Sequence, residues 1–331
     1  MYKKLDKNKN YDIGELDAMY QSWKGNRIKQ ELFPQYMEVQ SLEEFERTKD
    51  PQGSGYKELE ELIGLKNAKE MVKQIVSFGK MRNLYRGFDV QAEMPALNMA
   101  FLGNPGTAKT TVARILGRIL YENGIIQKNL VVEVGRSDLI AKYVGQTAPL
   151  VKSQYKKAVG GVLFIDEAYS LVDDRKGMFG DEAINTIVQE MENRRSSVIT
   201  IFAGYPKEMK EFIARNPGLK SRVNFIVNFD DYSEEELCEI SILIAKKQGL
   251  QIAKDGLDKL NSIYKSIKNE DCFGNGRYAR TMIEQARMRQ ARRITTIKPE
   301  DLTRDVVTTL IAQDFETNNE LESAKKVKIG F

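Results

Sequence analysis

The chain contains no histidine and only two cysteines, Cys238 and Cys272. Zinc sites built on imidazole and His-based proton transfer are therefore excluded, and two thiols are too few for a disulfide framework. Any catalysis has to rest on carboxylates, Lys, Arg and bound metal. No apolar run approaches the ~20 residues of a membrane span, and the stretch from Met1 to Asp12 is too polar for a signal peptide. The expected location is the cytoplasm. An excess of one charge is also missing: 51 Lys and Arg against 47 Asp and Glu leave a formal +4, which gives no bulk attraction to nucleic acid. What the chain does have is length and apolar content. Its 331 residues, 41% of them hydrophobic, suffice for a large α/β unit with an appended subdomain, or for two domains.

The pattern divides the chain into four parts. Residues 1–55 are charged, carry Tyr11, Tyr20, Trp23 and Phe33, and end in the breaker-rich Asp50-Pro51-Gln52-Gly53-Ser54-Gly55, which predicts a helical extension and a linker. Over 56–230 apolar runs alternate with helical periods, the signature of a parallel sheet with crossover helices. Five strands are predicted, at 97–102, 130–134, 162–166, 198–203 and 225–229. Between them, 111–121 places Val112, Ile115, Leu116, Ile119 and Leu120 on one helical face, and 181–193 repeats the pattern. After Asp231 helices alone are expected. A capping box at Ser233-Glu234-Glu235-Glu236 opens one running to about Lys247, a long one covers 278–294, and Pro299 starts another that ends near Phe315. A helical subdomain over 231–315 and a flexible tail over 316–331 complete the division.

Two motifs carry chemistry. Gly103-Asn104-Pro105-Gly106-Thr107-Ala108-Lys109-Thr110-Thr111 follows a predicted strand and precedes a predicted helix, the context that a phosphate-cradling loop requires. Its backbone N–H groups can surround a phosphate, Lys109 adds a full positive charge, and Thr110 offers a hydroxyl to Mg²⁺. The spacing fits G-x-x-x-x-G-K-[ST] except that Ala108 replaces the second glycine, at a cost of roughly 1 kcal/mol if φ must be positive there. The second motif is Gly161-Val162-Leu163-Phe164-Ile165-Asp166-Glu167, an apolar strand delivering two carboxylates at its C-terminal end, where α/β sheets bind ligands. Asp166 suits the Mg²⁺ shell, and Glu167 suits the polarising of a water in line with the γ-phosphate. No Asn-Lys-x-Asp guanine signature occurs, so ATP is preferred over GTP.

These motifs, with the helical region behind them, resemble the AAA+ ATPases. Tyr143-Val144-Gly145-Gln146-Thr147-Ala148-Pro149, Ala168-Tyr169 after the acidic pair, Ala203-Gly204-Tyr205 and Asn216-Pro217-Gly218-Leu219-Lys220-Ser221-Arg222 are similar to one branch, that of the red-type Rubisco activases and stage V sporulation protein K. The likeness covers about residues 59–315. It implies a P-loop NTPase sheet with a C-terminal helical lid, Mg²⁺-dependent ATP hydrolysis and assembly into a ring, with a homohexamer expected. Arg222 then resembles an arginine finger inserted into the neighbour's site, with Arg215 as the other candidate. Arg277 resembles the lid arginine that touches the phosphates, with Arg280 as its alternative. Tyr205 or Thr200 would fill the sensor position on the fourth strand, Tyr143 would face a central pore, and Ile63-Gly64 would cover the adenine.

The expected function is an ATP-hydrolysing ring motor that remodels or threads a protein client. Two other readings stay open. One is a nucleotide-gated assembly switch with little hydrolysis, motivated by Ala108 and the unusual sensor. The other is a nucleic-acid motor, motivated only by Arg287, Arg289, Arg292 and Arg293 on one predicted helix. Nucleic acid is disfavoured because no run of aromatic residues is interleaved with those arginines.

Overall fold

The computed structural model describes residues 53–87, 95–143, 145–172, 178–268 and 273–315. The predicted N-terminal extension up to residue 52 and the tail 316–331 lie outside the described residues, as does Cys272. Among the described residues no helix is long and apolar enough to cross a membrane.

Five strands form the central sheet: β1 (Met99–Gly103), β2 (Val131–Val134), β3 (Val162–Ile165), β4 (Ile199–Gly204) and β5 (Phe225–Phe229). They are parallel in the order β2-β3-β4-β1-β5. Every residue of β1, β3 and β4 is buried, which explains why these segments read as unbroken apolar runs rather than alternating ones. The period of two still sorts them between two cores. Met99, Phe101, Val162 and Phe164 point into one cluster, and Ala100, Leu102, Leu163 and Ile165 into the other.

Helices cover both faces. On the first lie α1 (Ser54–Glu61), α2 (Lys66–Gly87) and α3 (Lys109–Glu122), whose Val112, Ile115, Leu116 and Ile119 are fully or almost fully buried. The second face carries α4 (Arg136–Leu139), α5 (Thr147–Lys157), α6 (Met178–Asn193), α7 (Pro206–Arg215) and α8 (Pro217–Arg222). Each side chain of Leu or Phe size buried here contributes about 1.5–3 kcal/mol, so the floor beneath the loop at 103–108 is well anchored. The predicted linker is partly helix instead: α1 starts at Ser54, and Gly55 is buried so tightly that a Cβ would press on Ile119 and Arg118.

The lid comprises α9 (Glu234–Lys247), β6 (Gln251–Ile252), α10 (Lys254–Ile267), α11 (Asn275–Ile294), α12 (Arg304–Thr308) and β7 (Thr309–Leu310). The capping box forms as expected, with Glu236 N–H donating to Ser233 Oγ at 3.1 Å and Ser233 N–H to Glu236 Oε2 at 2.9 Å. Two expectations fail. The lid is not helices only, because β6 and β7 pair in parallel. Nor does one helix run from Pro299 to Phe315: a 3-10 turn at Pro299–Asp301, α12, β7 and a second 3-10 turn at Ala312–Asp314 take its place. The physical cause is side-chain competition with the helix. Thr303 caps α12 afresh, while Gln290 and Arg293 on α11 draw the carbonyls of Val307 and Thr309 into hydrogen bonds.

Candidate active site

β1 carries the chain to the loop at 103–108, and α3 carries it away. The turn is tight: a Cβ on Gly103 would lie 2.6 Å from the Phe229 carbonyl oxygen. Gly106 (φ 76°) and Ala108 (φ 67°) both adopt left-handed backbone, so the alanine takes up the conformation expected of glycine despite its Cβ. Thr107 is fully buried and donates its hydroxyl to the Asn104 carbonyl at 2.9 Å. Lys109 folds back over the same loop, donating from Nζ to the carbonyls of Gly103 (2.7 Å) and Asn104 (2.9 Å). Burial lowers the pKa of its ammonium, while Asp166, and less strongly Asp231 and Glu167, oppose that shift.

The two carboxylates lie just beyond β3, and both are exposed. Glu167 has φ 47°, a strained conformation for this residue type, and its N–H donates to Asp166 Oδ1 at 3.0 Å. That bond orients the first carboxylate. Glu167 opens a 3-10 turn at Ala168–Leu171, and Tyr169 on that turn meets Tyr205 with ring centroids 5.7 Å apart. Burial, then the charge of Glu167, pushes the Tyr169 hydroxyl up to about 12.

One cleft of about 560 Å³ gathers most of the predicted site. Gly103, Pro105, Gly106, Thr107, Ala108, Lys109, Thr110 and Thr111 form its floor, Asp166, Glu167 and Tyr205 one wall, and Arg277 with Arg280 the lid side. Ile63 lines it with Leu62, Ile240 and Ile244, giving an apolar end suited to a flat base. Gly64 lies just outside and packs on Glu236, and Asn104 turns away to Asp231. Thr200 is far from this chemistry, since its hydroxyl is buried against Tyr155 at 3.0 Å. Of the two sensor candidates, Tyr205 alone reaches the cleft.

Arg222 and Tyr143 do not belong to the cleft of their own chain. Arg222 ends α8, with Nε 3.1 Å from Glu192 Oε2 and Nη1 donating to the Gly218 carbonyl. Tyr143 stands on the loop between α4 and α5 and is 69% exposed, so it is not packed beneath that loop. Two arginines of the arginine-rich helix have partners within the lid. Arg293 pairs with the buried Asp314 at 2.9 Å, and Arg289 donates to the Asp314 carbonyl.

Sequence reasoning missed Tyr169, Tyr232, Lys247 and Thr281 in the cleft lining, and the pair Asp231 and Asn275 beside it. Asn275 had a legible signal: an asparagine between two glycines is the residue most apt to take left-handed backbone, and it does so with φ 49°. The others are joined by folding alone.

A family model described as "ATPase family associated with various cellular activities (AAA)" matches residues 99–230, and an AAA lid domain model matches residues 233–325. The chain is 40% identical over 255 residues to the chloroplastic ribulose bisphosphate carboxylase/oxygenase activase of Cyanidioschyzon merolae, covering 77% of this chain and 87% of that protein. It is 37% identical over 262 residues to stage V sporulation protein K of Bacillus subtilis, covering 74% and 81%. Among solved structures, the FIGL-1 AAA domain in complex with ADP superposes with a TM-score of 0.54 over 80% of this chain and 88% of that one, a likeness of fold at 18% identity. The chain therefore belongs to the AAA ATPase family, in the branch of the red-type Rubisco activases and stage V sporulation protein K.

Proposed function

We propose that this chain hydrolyses ATP to ADP and phosphate, and that it does so as a ring-forming motor acting on a protein client. The observation that carries the reading is the meeting of Lys109, Thr110, Asp166, Glu167 and Arg277 around one cleft. The α/β unit over 56–230 would supply the floor and the lid over 231–315 the roof. Amides of the left-handed loop and the Lys109 ammonium would bind the phosphates, and the apolar end near Ile63 would take the adenine. Glu167 would accept a proton from water as its oxygen attacks the γ-phosphorus and the bond to the β–γ bridging oxygen breaks. The Thr110 hydroxyl and the Asp166 carboxylate fit a Mg²⁺ ion, which neutralises phosphate charge when bound. Two protein ligands are enough, because Mg²⁺ takes its other positions from phosphate and water.

Arg222 fits a role in trans, because it lies outside its own cleft and at the end of a short helix. Such a guanidinium is worth on the order of 10³ to 10⁵ in rate. Tyr143, exposed beside Lys142 and Gly145, fits a pore-facing grip on an extended chain, where aromatic area binds many sequences. The relative named as a ribulose bisphosphate carboxylase/oxygenase activase supports a client that is a protein. The loop holds its left-handed turn with alanine at 108, which supports the motor reading over the nucleotide-gated switch.

Glu167→Gln should lower steady-state ATP turnover by about 10²-fold or more while nucleotide binding persists. Undiminished turnover would remove Glu167 as the base. Tyr143→Ala should retain hydrolysis and lose remodelling of the client; normal remodelling by that variant would end the threading reading.

A further inference from the structure

The contacts between the lid and the phosphate loop converge on two side chains that the catalytic reading leaves unused. Asn275, fully buried at the start of α11, accepts the Tyr232 N–H on Oδ1 at 3.0 Å. Its Nδ2 donates to Asp231 Oδ1 at 2.7 Å and to the Pro105 carbonyl at 3.3 Å. Asp231 in turn accepts from Asn104 Nδ2 at 2.9 and 3.1 Å. Gly276 N–H donates to the Gly106 carbonyl at 3.1 Å, and no gap remains, because a Cβ on Gly106 would run into the Gly274 carbonyl.

Peptide geometry gives these bonds a consequence. The Pro105 carbonyl shares its rigid plane with the Gly106 N–H, and the Gly106 carbonyl shares its plane with the Thr107 N–H. The amides available to phosphate are thus the far ends of the peptide units whose oxygens the lid holds. Turning either plane toward an anion moves an acceptor of α11, and charge drawn to the N–H strengthens the bond at the carbonyl. Arg277 follows Asn275 by two residues, so the seat of α11 decides where its guanidinium enters the cleft.

We propose that Asn275 and Asp231 are positioning residues for Arg277, forming a latch that carries the conformation of the phosphate loop to the lid. The proposal rests on the reading of the cleft as an ATP site with Arg277 at the phosphates. In the full chain with Mg-ATP, Asn275→Gly keeps the left-handed backbone and removes the side chain. It should reduce kcat/KM about tenfold and change the same kinetic parameter as Arg277→Ala. The double variant Asn275→Gly/Arg277→Ala should be no slower than Arg277→Ala alone.

A merely structural role predicts that the two losses multiply, and that result would overturn the latch. So would wild-type kinetics for Asn275→Gly. Should that variant not fold, Asp231→Ala, at an exposed position, carries the same cycle with Arg277→Ala. The two readings fail differently. If Arg277→Ala is slow and both Asn275→Gly and Asp231→Ala are fast, the latch alone is wrong; if Arg277→Ala is as fast as wild type, Arg277 has no role to be positioned and both fall.

Discussion

Four non-glycine residues among those described have positive φ: Leu65, Ala108, Glu167 and Asn275. All four belong to or adjoin segments around the cleft, which is where backbone strain collects when a site needs a fixed shape. Ala108 offers the simplest test, since its Cβ is unfavourable in the left-handed region and a glycine would relieve it. Ala108→Gly should raise the stability of the nucleotide-free protein by about 1 kcal/mol, read from the urea midpoint, with ATP affinity retained. A fall in stability would mean that the methyl group packs usefully. The loop and the Asp166-Glu167 pair were legible in the sequence because their chemistry lies in consecutive residues. The contact between Asp231 and Asn275 was not, because the two are 44 residues apart and meet only through the packing of the lid on the floor.

At the scale of elements, the five strands are found within two residues of their expected limits; β1, β3 and β4 are buried on both faces and so apolar throughout, while β5 alternates between buried and exposed positions. The last part of the lid resisted the same reasoning. Val306, Val307, Thr308 and Thr309 are β-branched and fit either a weak helix or an extended strand, and side chains of α11 decide the matter from outside the segment. Arg293 and Asp314 hold this piece in place, with Asp314 1% exposed and also accepting the Ile311 N–H at 3.0 Å. Asp314→Ala leaves the guanidinium half-buried without its carboxylate and should cost about 3–5 kcal/mol. Urea unfolding followed by a probe in the lid would register that loss, and an unshifted midpoint would show the pair to be dispensable. Bonds to Asp314 engage two of the α11 arginines, Arg289 and Arg293, within the lid.

The whole molecule distributes its proposed chemistry between copies. Arg222 is held by Glu192 on its own chain and lies apart from its own cleft, so its partner phosphate would belong to another subunit. Lys109→Ala and Arg222→Ala subunits should each be nearly inactive alone. Mixed one to one, they should recover about a quarter of the interfaces and a comparable share of ATP turnover. No recovery on mixing would place the arginine's work elsewhere.

The sheet register ties these two ends together. β1 and β5 pair from Met99↔Phe225 to Gly103↔Phe229, so one end of the pair abuts the phosphate loop and the other begins three residues after Arg222. Five residues of strand span about 16 Å, with β1 buried throughout and β5 burying Val227 and Phe229 on one face. In the proposed ring such a pair would act as a strut, carrying a small tilt at the nucleotide to the adjoining protomer's fuel as a change in the reach of a single guanidinium.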